Sequence, residues 1–367
     1  MNKRILFLSN GHGEDGIAAT LIKELKKTSP NLPVSTLPIV GQGKALEGLR
    51  VKILGSRRAL PSGGFIYHNL PNLLKDLSSG LLTNTFSQIG ILRSLKGQFD
   101  LVVAIGDIVV MVGAVLTQTP FIFVGCAKSD YYDYSYTPWE KWLLKRYCKM
   151  AFPRDVLTTD NLRKEGIQAE FVGNPMMDAI NPTGELLGTD PGSLVVGFLP
   201  GTREDAFLNL EDLVKVARKI LDFKTGPKPV EFLVALAENL DAARALKLIP
   251  AELPIRIIQG KFAEVLNRSD IIVGLSGTGN EQAVGMGKPV VCFPGRGVQH
   301  TKKFAQDKKQ LLGDSISLAE ADPSIVAQEV WTIIKDPARQ EAMREVGKER
   351  MGDKGAARKI AEFILHA

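Results

Sequence analysis

The sequence is organised around short, continuous runs of apolar residues, and this pattern limits the possible fold more than any other feature. Three such runs lie in the first half, at 4–9, 100–105 and 120–125. Four lie in the second half, at 194–199, 230–236, 270–275 and 289–294. Strands whose apolar residues are continuous rather than alternating are covered on both faces. The runs therefore predict buried parallel strands.

Segments with helical periodicity separate these runs. Apolar residues recur with the i, i+3, i+4, i+7 spacing of an amphipathic helix from Ala18, from Trp139 and from Ala357. Alternating strands and helices are typical of doubly wound parallel sheets. Because the chain has 367 residues and domains usually have about 100–200, we predict an α/β protein with two such domains.

A segment rich in proline and glycine, 173–192, divides the chain almost in half. Such a density of helix and strand breakers is typical of a linker. We predict an N-terminal domain at 1–175, a linker at 176–192 and a C-terminal domain at 193–345. The last residues, 346–367, predict a helix, which we expect to pack back on the N-terminal domain.

The two halves open alike. Residues 7–16 read FLSNGHGEDG, and residues 198–206 read FLPGTREDA. In both halves a strand is followed by a glycine loop, an acidic pair and a helix. The likeness indicates two Rossmann-like domains that face each other across a central cleft.

Composition excludes several classes of protein. No run approaches the ~20 apolar residues of a membrane-spanning helix, and the first residues read as a strand and a loop rather than a signal peptide. The three cysteines are widely spaced, which suits a reducing compartment. The four histidines are scattered and give no zinc pattern. We predict a cytoplasmic protein with no metal site.

The net charge of +6 has two interpretations. It can describe an ordinary solvated surface, or it can reflect affinity for an anion such as a nucleotide or a phospholipid surface. The sequence contains no block of five or more Lys or Arg residues and no basic–aromatic interleaving. Nucleic acid is therefore not an expected partner.

Small polar residues directly follow one of the buried runs of the second half. They are Ser276, Gly277, Thr278 and Gly279. Parallel sheets bind ligands beyond the carboxyl ends of their strands, where helix N-termini favour anions. The glycines would let a phosphate approach the backbone, and the hydroxyls would donate to it. A structural interpretation is that Thr278 and Glu281 form a capping box.

A second loop with an anion-binding pattern follows the run at 194–199. It contains Gly201, Thr202 and Arg203. Arginine binds phosphate through two parallel hydrogen bonds. The alternative is that Arg203 is an ordinary solvated charge.

The loop after the first run combines glycines with groups that can transfer protons. Its glycines are Gly11 and Gly13, and His12, Glu14 and Asp15 lie among and after them. A histidine or a carboxylate in a cleft is a candidate general base. For Asp15 the alternative is a favourable charge at a helix N-terminus.

Asp107 is a further candidate base. It follows a buried run and Gly106, and apolar residues resume directly after it. A carboxylate at the end of a buried parallel strand lies at the ligand-binding edge of the sheet.

Together these motifs resemble a known family. The segments FLPGTRE, GLSGTGNEQAVGMGKPVV and FVGNPMMD are similar to the nucleotide-sugar half of GT-B glycosyltransferases, above all to lipid-A-disaccharide synthases and proteins related to them. They also resemble the peptidoglycan N-acetylglucosaminyltransferase and UDP-N-acetylglucosamine 2-epimerases. The resemblance is strongest over 168–300 and looser towards the N-terminus.

The resemblance implies a GT-B fold that binds a UDP-sugar on the C-terminal domain and an acceptor, often a lipid, on the N-terminal one. It implies neither a metal nor another cofactor. The glycine loop would face the diphosphate, and a glutamate early in the next helix would hold the ribose. Counted back from Pro289, that glutamate falls on Gln282, with Glu281 one place earlier. The loop that closes over the donor corresponds to Gln299 and His300.

These expectations lead to an inverting glycosyltransferase that acts on a lipid or another glycoconjugate. The alternatives are a UDP-N-acetylglucosamine 2-epimerase and a non-catalytic nucleotide-binding scaffold. Residues 60–86 are rich in Leu and Phe, and residues 139–150 combine tryptophans with Lys and Arg. Each reads either as ordinary packing or as a surface for a lipid acceptor, with peripheral contact to the inner face of the membrane.

Overall fold

The chain folds into two compact units in this computed structural model. The first comprises Met1–Ala179 together with Lys354–Ala367, and the second comprises Ile180–Asp353. The structure describes residues 3–39, 43–55, 90–132, 135–224, 226–297 and 300–367. Of His12 it describes only the backbone, as the first residue of a helix. Residues 60–86, for which the sequence left open ordinary packing or a lipid-facing surface, lie outside the described residues.

The described residues of the first unit form a parallel sheet of six strands at its centre. The strands are β1 (Ile5–Ser9), β2 (Val34–Pro38), β3 (Lys52–Ile53), β4 (Leu101–Gly106), β5 (Phe121–Gly125) and β6 (Cys148–Phe152). They pair in the order β3-β2-β1-β4-β5-β6. The order reverses between β1 and β4, so the carboxyl ends of these two strands form the topological switch point of the sheet.

Helices cover both faces of this sheet, as the continuous apolar runs predicted. They are α1 (His12–Thr28), α2 (Ile108–Leu116), α3 (Pro138–Tyr147), α4 (Val156–Lys164) and α12 (Ala356–His366), the last helix described. Alternate residues of β1 serve two cores. Ile5 and Phe7 pack with α1 and α12, whereas Leu6 and Leu8 pack with α2 and α3. Every residue of β1 is therefore buried.

The helix α12 belongs to the first unit although its sequence follows the second. Ile360 and Ile364 are fully buried in the core to which α1 contributes. The carboxylate of Asp178 accepts hydrogen bonds from the backbone N–H groups of Gly355 and Ala357, the second at 2.7 Å. A negative charge is favourable at a helix N-terminus because unpaired N–H groups point towards it.

The second unit repeats the topology of the first. Its strands are β7 (Leu194–Leu199), β8 (Val230–Ala235), β9 (Ile255–Ile258), β10 (Ile271–Gly274), β11 (Val290–Cys292) and β12 (Ile316–Leu318). They pair in the order β12-β11-β10-β7-β8-β9, which is the order of the first sheet read from the opposite edge. The switch point lies between β7 and β10. The predicted pair of doubly wound Rossmann-like domains is confirmed.

The described residues of the second unit form seven helices around its sheet. They are α5 (Ala206–Asp222), α6 (Ala242–Leu246), α7 (Phe262–Arg268), α8 (Thr278–Gly285), α9 (Lys302–Leu312), α10 (Pro323–Ile334) and α11 (Pro337–Met351). Phe198 and Phe232 stack in the core with ring centroids 5.2 Å apart. Trp331 packs in the same core, and its indole N–H donates to the backbone oxygen of Ile220 at 3.0 Å. In the described ranges, no helix is long and apolar enough to cross a membrane.

The predicted linker at 176–192 includes residues of both units, and the predicted limit at 345 lies within a helix. In the predicted linker at 176–192, the backbone N–H groups of residues 183–185 donate to the carboxylate of Glu264. The helix α11 runs without interruption through the limit predicted at 345. The chain instead passes back to the first unit after Asp353.

Candidate functional site

Each sheet carries candidate residues at its switch point. In the first unit these residues lie in the β1–α1 and β4–α2 connections, and in the second they lie in the β7–α5 and β10–α8 connections. Ligands of open α/β sheets bind at such points because the loops on either side of the switch diverge and leave a crevice. The two switch points carry different chemistry.

Asp107 lies where β4 ends and α2 begins. Its Oδ1 accepts hydrogen bonds from the backbone N–H of Val109 at 2.9 Å and from Nδ2 of Asn10 at 3.0 Å. Because Asn10 directly follows β1, the second bond joins the two strands beside the switch point. Burial raises the pKa of the Asp107 carboxyl, and the negative charge of Glu140 raises it further.

Glu14 lies in the first turn of α1, where the thiol of Cys126 donates to its Oε1 at 3.7 Å. Burial raises the pKa of Glu14, and the charge of Asp107 adds to the effect. Gly106 lies beside this side chain, since a Cβ there would be in ordinary van der Waals contact with Cγ of Glu14 at 3.5 Å, and its φ of +137° favours glycine. The structure thus brings together two of the three predicted catalytic residues.

The remaining predicted residues of the β1–α1 loop have different surroundings. Asp15 is 1% exposed, and its Oδ1 accepts a hydrogen bond at 2.5 Å from the hydroxyl of Ser9, the last residue of β1. It therefore supports the loop from within and does not present its carboxylate at the surface. A Cβ on Gly11 would lie 2.6 Å from a carboxylate oxygen of Glu14, whereas Gly13 is exposed and faces open space. The side chain of His12 lies outside the described residues.

Three charged residues at this edge had not been predicted from the sequence. Nζ of Lys128 lies 2.6 Å from Oε2 of Glu140, and Arg154 donates to the backbone oxygen of Cys126 at 2.8 Å. Glu140 also forms a capping box with Thr137 at the start of α3, and this spacing could have been recognised. Lys128 and Arg154 follow β5 and β6 without such a signal. The described residues contain no group of three or more His, Cys, Asp or Glu side chains suited to hold a metal.

In the second unit the β7–α5 loop lies against the end of β10. Gly201 has a φ of +106°, and a Cβ there would lie 3.3 Å from the backbone oxygen of Leu275. Both the conformation and the close approach favour glycine. The next residues, Thr202 and Arg203, are exposed. Asn209 holds the loop in place, because its Nδ2 donates to the backbone oxygen of Pro200 at 2.8 Å.

The capping box of Thr278 and Glu281, one of the two alternatives for the start of α8, is not formed. The helix begins at Thr278, and its N-cap residue is Gly277, which has no side chain to accept a hydrogen bond. Oγ of Ser276 instead accepts from the N–H of Gly279 at 3.2 Å. A Cβ on Gly279 would lie 2.6 Å from that oxygen, and a Cβ on Gly277 would lie 3.3 Å from the ring of Phe304. Both glycines therefore serve the packing of the turn itself.

Glu281 and Gln282, the two candidates for the ribose, have different surroundings. The Glu281 side chain is 3% exposed and forms an ion pair with the ammonium of Lys308 in α9, a side chain that is 14% exposed. Gln282 is only half-buried. The carboxylate is thus held inside the unit, and the amide lies nearer to solvent.

His300 is buried beside α9. It is 8% exposed, and burial lowers its pKa to about 4, with a further contribution from the charge of Lys308. The imidazole is therefore neutral at pH 7. Its ring packs edge-on against Phe304 with centroids 5.0 Å apart. Gln299, predicted to act with His300, lies outside the described residues.

Several buried polar atoms in and near the β7–α5 loop lack a hydrogen-bond partner among the described residues. They include Nε2 of His300 and Oδ1 of Asn209. A Cβ on Gly295 would lie 2.7 Å from this Oδ1 and 3.1 Å from Cβ of His300, so the two side chains approach Gly295 together. Buried polar groups are normally hydrogen-bonded, and these atoms are candidates for contact with a ligand.

Sequence comparison relates the chain to lipid-A-disaccharide synthases. It is 25% identical to the enzyme from Geobacter sulfurreducens over 227 residues, which are 55% of this chain and 58% of that protein. It is 27% identical to the enzyme from Nitrosococcus oceani over 228 residues, 54% of this chain and 57% of that one. The chain thus spans less than two thirds of the length of these curated relatives. No model of a protein family matches it.

Solved structures with the same fold include both transferases and epimerases. UDP-GlcNAc 2-epimerase from Neisseria meningitidis, bound to UDP-GlcNAc, superposes with a TM-score of 0.64 at 18% identity, over 99% of this chain and all of that one. MurG from Acinetobacter baumannii gives 0.62 at 15% identity over 99% and 100%. The calicheamicin glycosyltransferase CalG4 gives 0.63 at 16% identity over 100% and 98%. The chain has the GT-B fold, and its expected relationship to lipid-A-disaccharide synthases is confirmed.

Proposed function

We propose that this protein is a glycosyltransferase that moves a sugar from a UDP-linked donor to a lipid or another glycoconjugate. The observation that carries the proposal is the contrast between the two switch points. The first unit presents two carboxyl groups, Glu14 and Asp107, whose pKa values are raised. The second unit presents hydroxyls, a helix N-terminus and cationic side chains. The first chemistry suits activation of an acceptor hydroxyl, and the second suits a diphosphate.

The donor site is assigned to the loops of the second unit. The N–H groups at the start of α8 and the guanidinium of Arg203 would bind the diphosphate. Thr202 and Thr278 would add hydroxyl donors. Gln282 is the better candidate for the ribose, because Glu281 is committed to Lys308. This set of groups neutralises a diphosphate without a metal ion.

The acceptor hydroxyl is assigned to the first unit, where a carboxylate would remove its proton. In an inverting transfer the hydroxyl oxygen attacks C1 of the sugar as the bond from C1 to the diphosphate oxygen breaks. The proton goes to the base, and the electron pair leaves with UDP. Asp107 is the first candidate base and Glu14 the second, and His12 remains a third.

The raised pKa values give this proposal a pH dependence. A general base must be ionised, and it is most effective when its pKa is close to the working pH. Burial at Asp107 and Glu14 moves their pKa values in that direction. The rate is expected to fall as the pH drops through the raised pKa of the base and to reach a plateau above it.

A lipid acceptor fits the surface of α3. Trp139 and Trp142 are exposed and stack with ring centroids 4.7 Å apart. The guanidinium of Arg146 lies 5.2 Å from the ring centroid of Tyr147. Exposed aromatic rings beside cations favour the interface of an anionic membrane. We propose that the protein works in the cytoplasm at the inner face of the membrane.

A UDP-N-acetylglucosamine 2-epimerase is the second candidate, because an epimerase of this fold superposes on almost the whole chain. The two are distinguished by incubation with a panel of UDP-sugars, with and without a membrane lipid extract, followed by mass spectrometry. Release of UDP only with lipid supports a transferase. Conversion of UDP-GlcNAc without lipid supports the epimerase. Binding of UDP by thermal shift without turnover would instead indicate a scaffold.

The role of Asp107 is tested in the same assay. Loss of a general base typically lowers a rate about 10²- to 10⁴-fold, so Asp107→Asn is expected to lose turnover by this factor while UDP affinity holds. Glu165→Gln, an exposed carboxylate of the first unit, is the matched control and should retain the rate. If Asp107→Asn, Glu14→Gln and His12→Ala all turn over like the wild type, the base is not in this loop pair.

A further inference from the structure

We infer that Lys308 is a ligand of the donor's diphosphate and that Glu281 is the residue that positions it. The inference rests on the proposed donor site of the second unit and adds to it a cation from α9. The sequence motifs of the glycine loop and the arginine loop did not predict a role for Lys308. Only tertiary packing brings Lys308 to this site.

Lys308 lies beside the turn where the diphosphate is expected. Its Cε would be 4.0 Å from a Cβ on Gly277, the N-cap residue of α8. Its ammonium lies 5.4 Å from the ring centroid of Phe304, and that ring also contacts the Gly277 position. The first N–H groups of a helix have no partner within the helix. The fold thus places the ammonium group of Lys308 next to the N-terminus of α8.

The pairing with Glu281 fixes this charge in place. Two charges removed from water are a weak source of stability, because desolvation offsets most of their attraction. Apolar residues of similar volume would usually hold such a position equally well. What an apolar pair cannot do is hold an ammonium group against the turn. We therefore assign the Glu281–Lys308 pair to ligand binding rather than to the stability of the core.

A second observation in the same group of side chains also indicates a ligand. Nε2 of His300 is buried and has no hydrogen-bond partner within the part of the chain that the structure describes. Its ring contacts Phe304, and its pKa is lowered in part by the charge of Lys308. An orphaned polar atom in the interior is disfavoured. A donor bound beside Phe304 would supply the missing partner.

The chemistry of the leaving group explains why a cation is useful here. Negative charge grows on the diphosphate as the bond to the sugar breaks, and preorganised positive groups stabilise it most strongly in a site shielded from water. A helix N-terminus supplies only roughly half a charge. Lys308 and Arg203 would place two cationic groups at the diphosphate, and Glu281 would offset part of the charge of Lys308.

The test compares uridine, UMP and UDP as ligands of Lys308→Met in calorimetry. A charge-assisted contact to phosphate predicts about a 10- to 100-fold loss of UDP affinity, with uridine affinity unchanged. Lys302→Met is the matched control, because Lys302 is an exposed lysine of the same helix. It should bind all three ligands like the wild type. Lys308→Arg keeps the charge and should keep most of the UDP affinity.

A second variant guards against a loss caused by misfolding. Lys308→Met leaves the buried carboxylate of Glu281 in place, so the double variant Glu281→Gln/Lys308→Met is measured as well. It must show the same selective loss for UDP. If uridine and UDP lose affinity equally, or if UDP binds both variants like the wild type, Lys308 does not contact the diphosphate and the proposed transferase still stands. If the wild type binds no UDP, both proposals fail.

Discussion

The buried imidazole of His300 makes the stability of the second unit depend on pH. An unfolded histidine has a pKa of about 6.5, whereas burial lowers that of His300 to about 4. Between these values the unfolded chain binds the proton more tightly, so stability is lost as pH falls from 6.5 towards 4. From pH 8 to pH 5 this linkage amounts to about 2 kcal/mol. His300→Gln removes the titrating group and should remove this part of the pH dependence.

The measurement needs a signal from the second unit alone. The sequence has three tryptophans, and Trp331 is the one in the second core. In a background of Trp139→Phe and Trp142→Phe, Trp331 fluorescence reports urea unfolding of this unit. Between pH 8 and pH 5 the unfolding free energy of the histidine form should fall about 2 kcal/mol further than that of His300→Gln. The other titrating groups are the same in both proteins, so their contributions to the pH dependence cancel in the difference. An equal fall in both would refute the buried neutral imidazole.

Two further predictions concern the donor loop and the last helix. Arg203→Ala should weaken UDP binding about 10- to 150-fold, because a charge-assisted hydrogen bond contributes about 1.5–3 kcal/mol. An unchanged UDP affinity in calorimetry would reject the contact. Arg218→Ala, which replaces an exposed arginine of the same unit, is the control. Asp178→Asn should weaken the N-terminus of α12 by about 1–2 kcal/mol and so accelerate trypsin cleavage at Lys354 about 5- to 30-fold. Cleavage at the wild-type rate would show that Asp178 does not hold this helix.

The sequence predicted most of the inner strands of both sheets and missed the edge strands and the inner strand β2. β1, β4 and β5, like β7, β8, β10 and β11, are continuous apolar runs because helices cover both of their faces. The edge strand β3 has only two residues, one of them exposed, and β6 carries the exposed Lys149. All four residues of the edge strand β9 are half-buried. Edge strands lack neighbours on one side, so their sequences carry a weaker hydrophobic signal.

Candidate residues at strand ends could be predicted, and those contributed by distant helices could not. Glu14 and Asp107 were found because parallel strands end at one edge, and the structure places them there together. Lys308 was missed because only the packing of α9 against the turn at Gly277 brings it near. For Glu281 the spacing indicated either a cap or a ligand contact. The structure shows a third arrangement, an ion pair with Lys308.

The return of the last helix to the first unit has a consequence for folding during synthesis. Nascent chains usually fold from the N-terminal domain onwards. Here the core on the α1 side lacks Ala357, Ile360, Ala361 and Ile364 until the ribosome has also made the whole second unit. A nascent chain that reaches only Asp353 carries all the residues of the second core beside a first unit with an uncovered apolar groove. The second unit is therefore expected to reach its native core first.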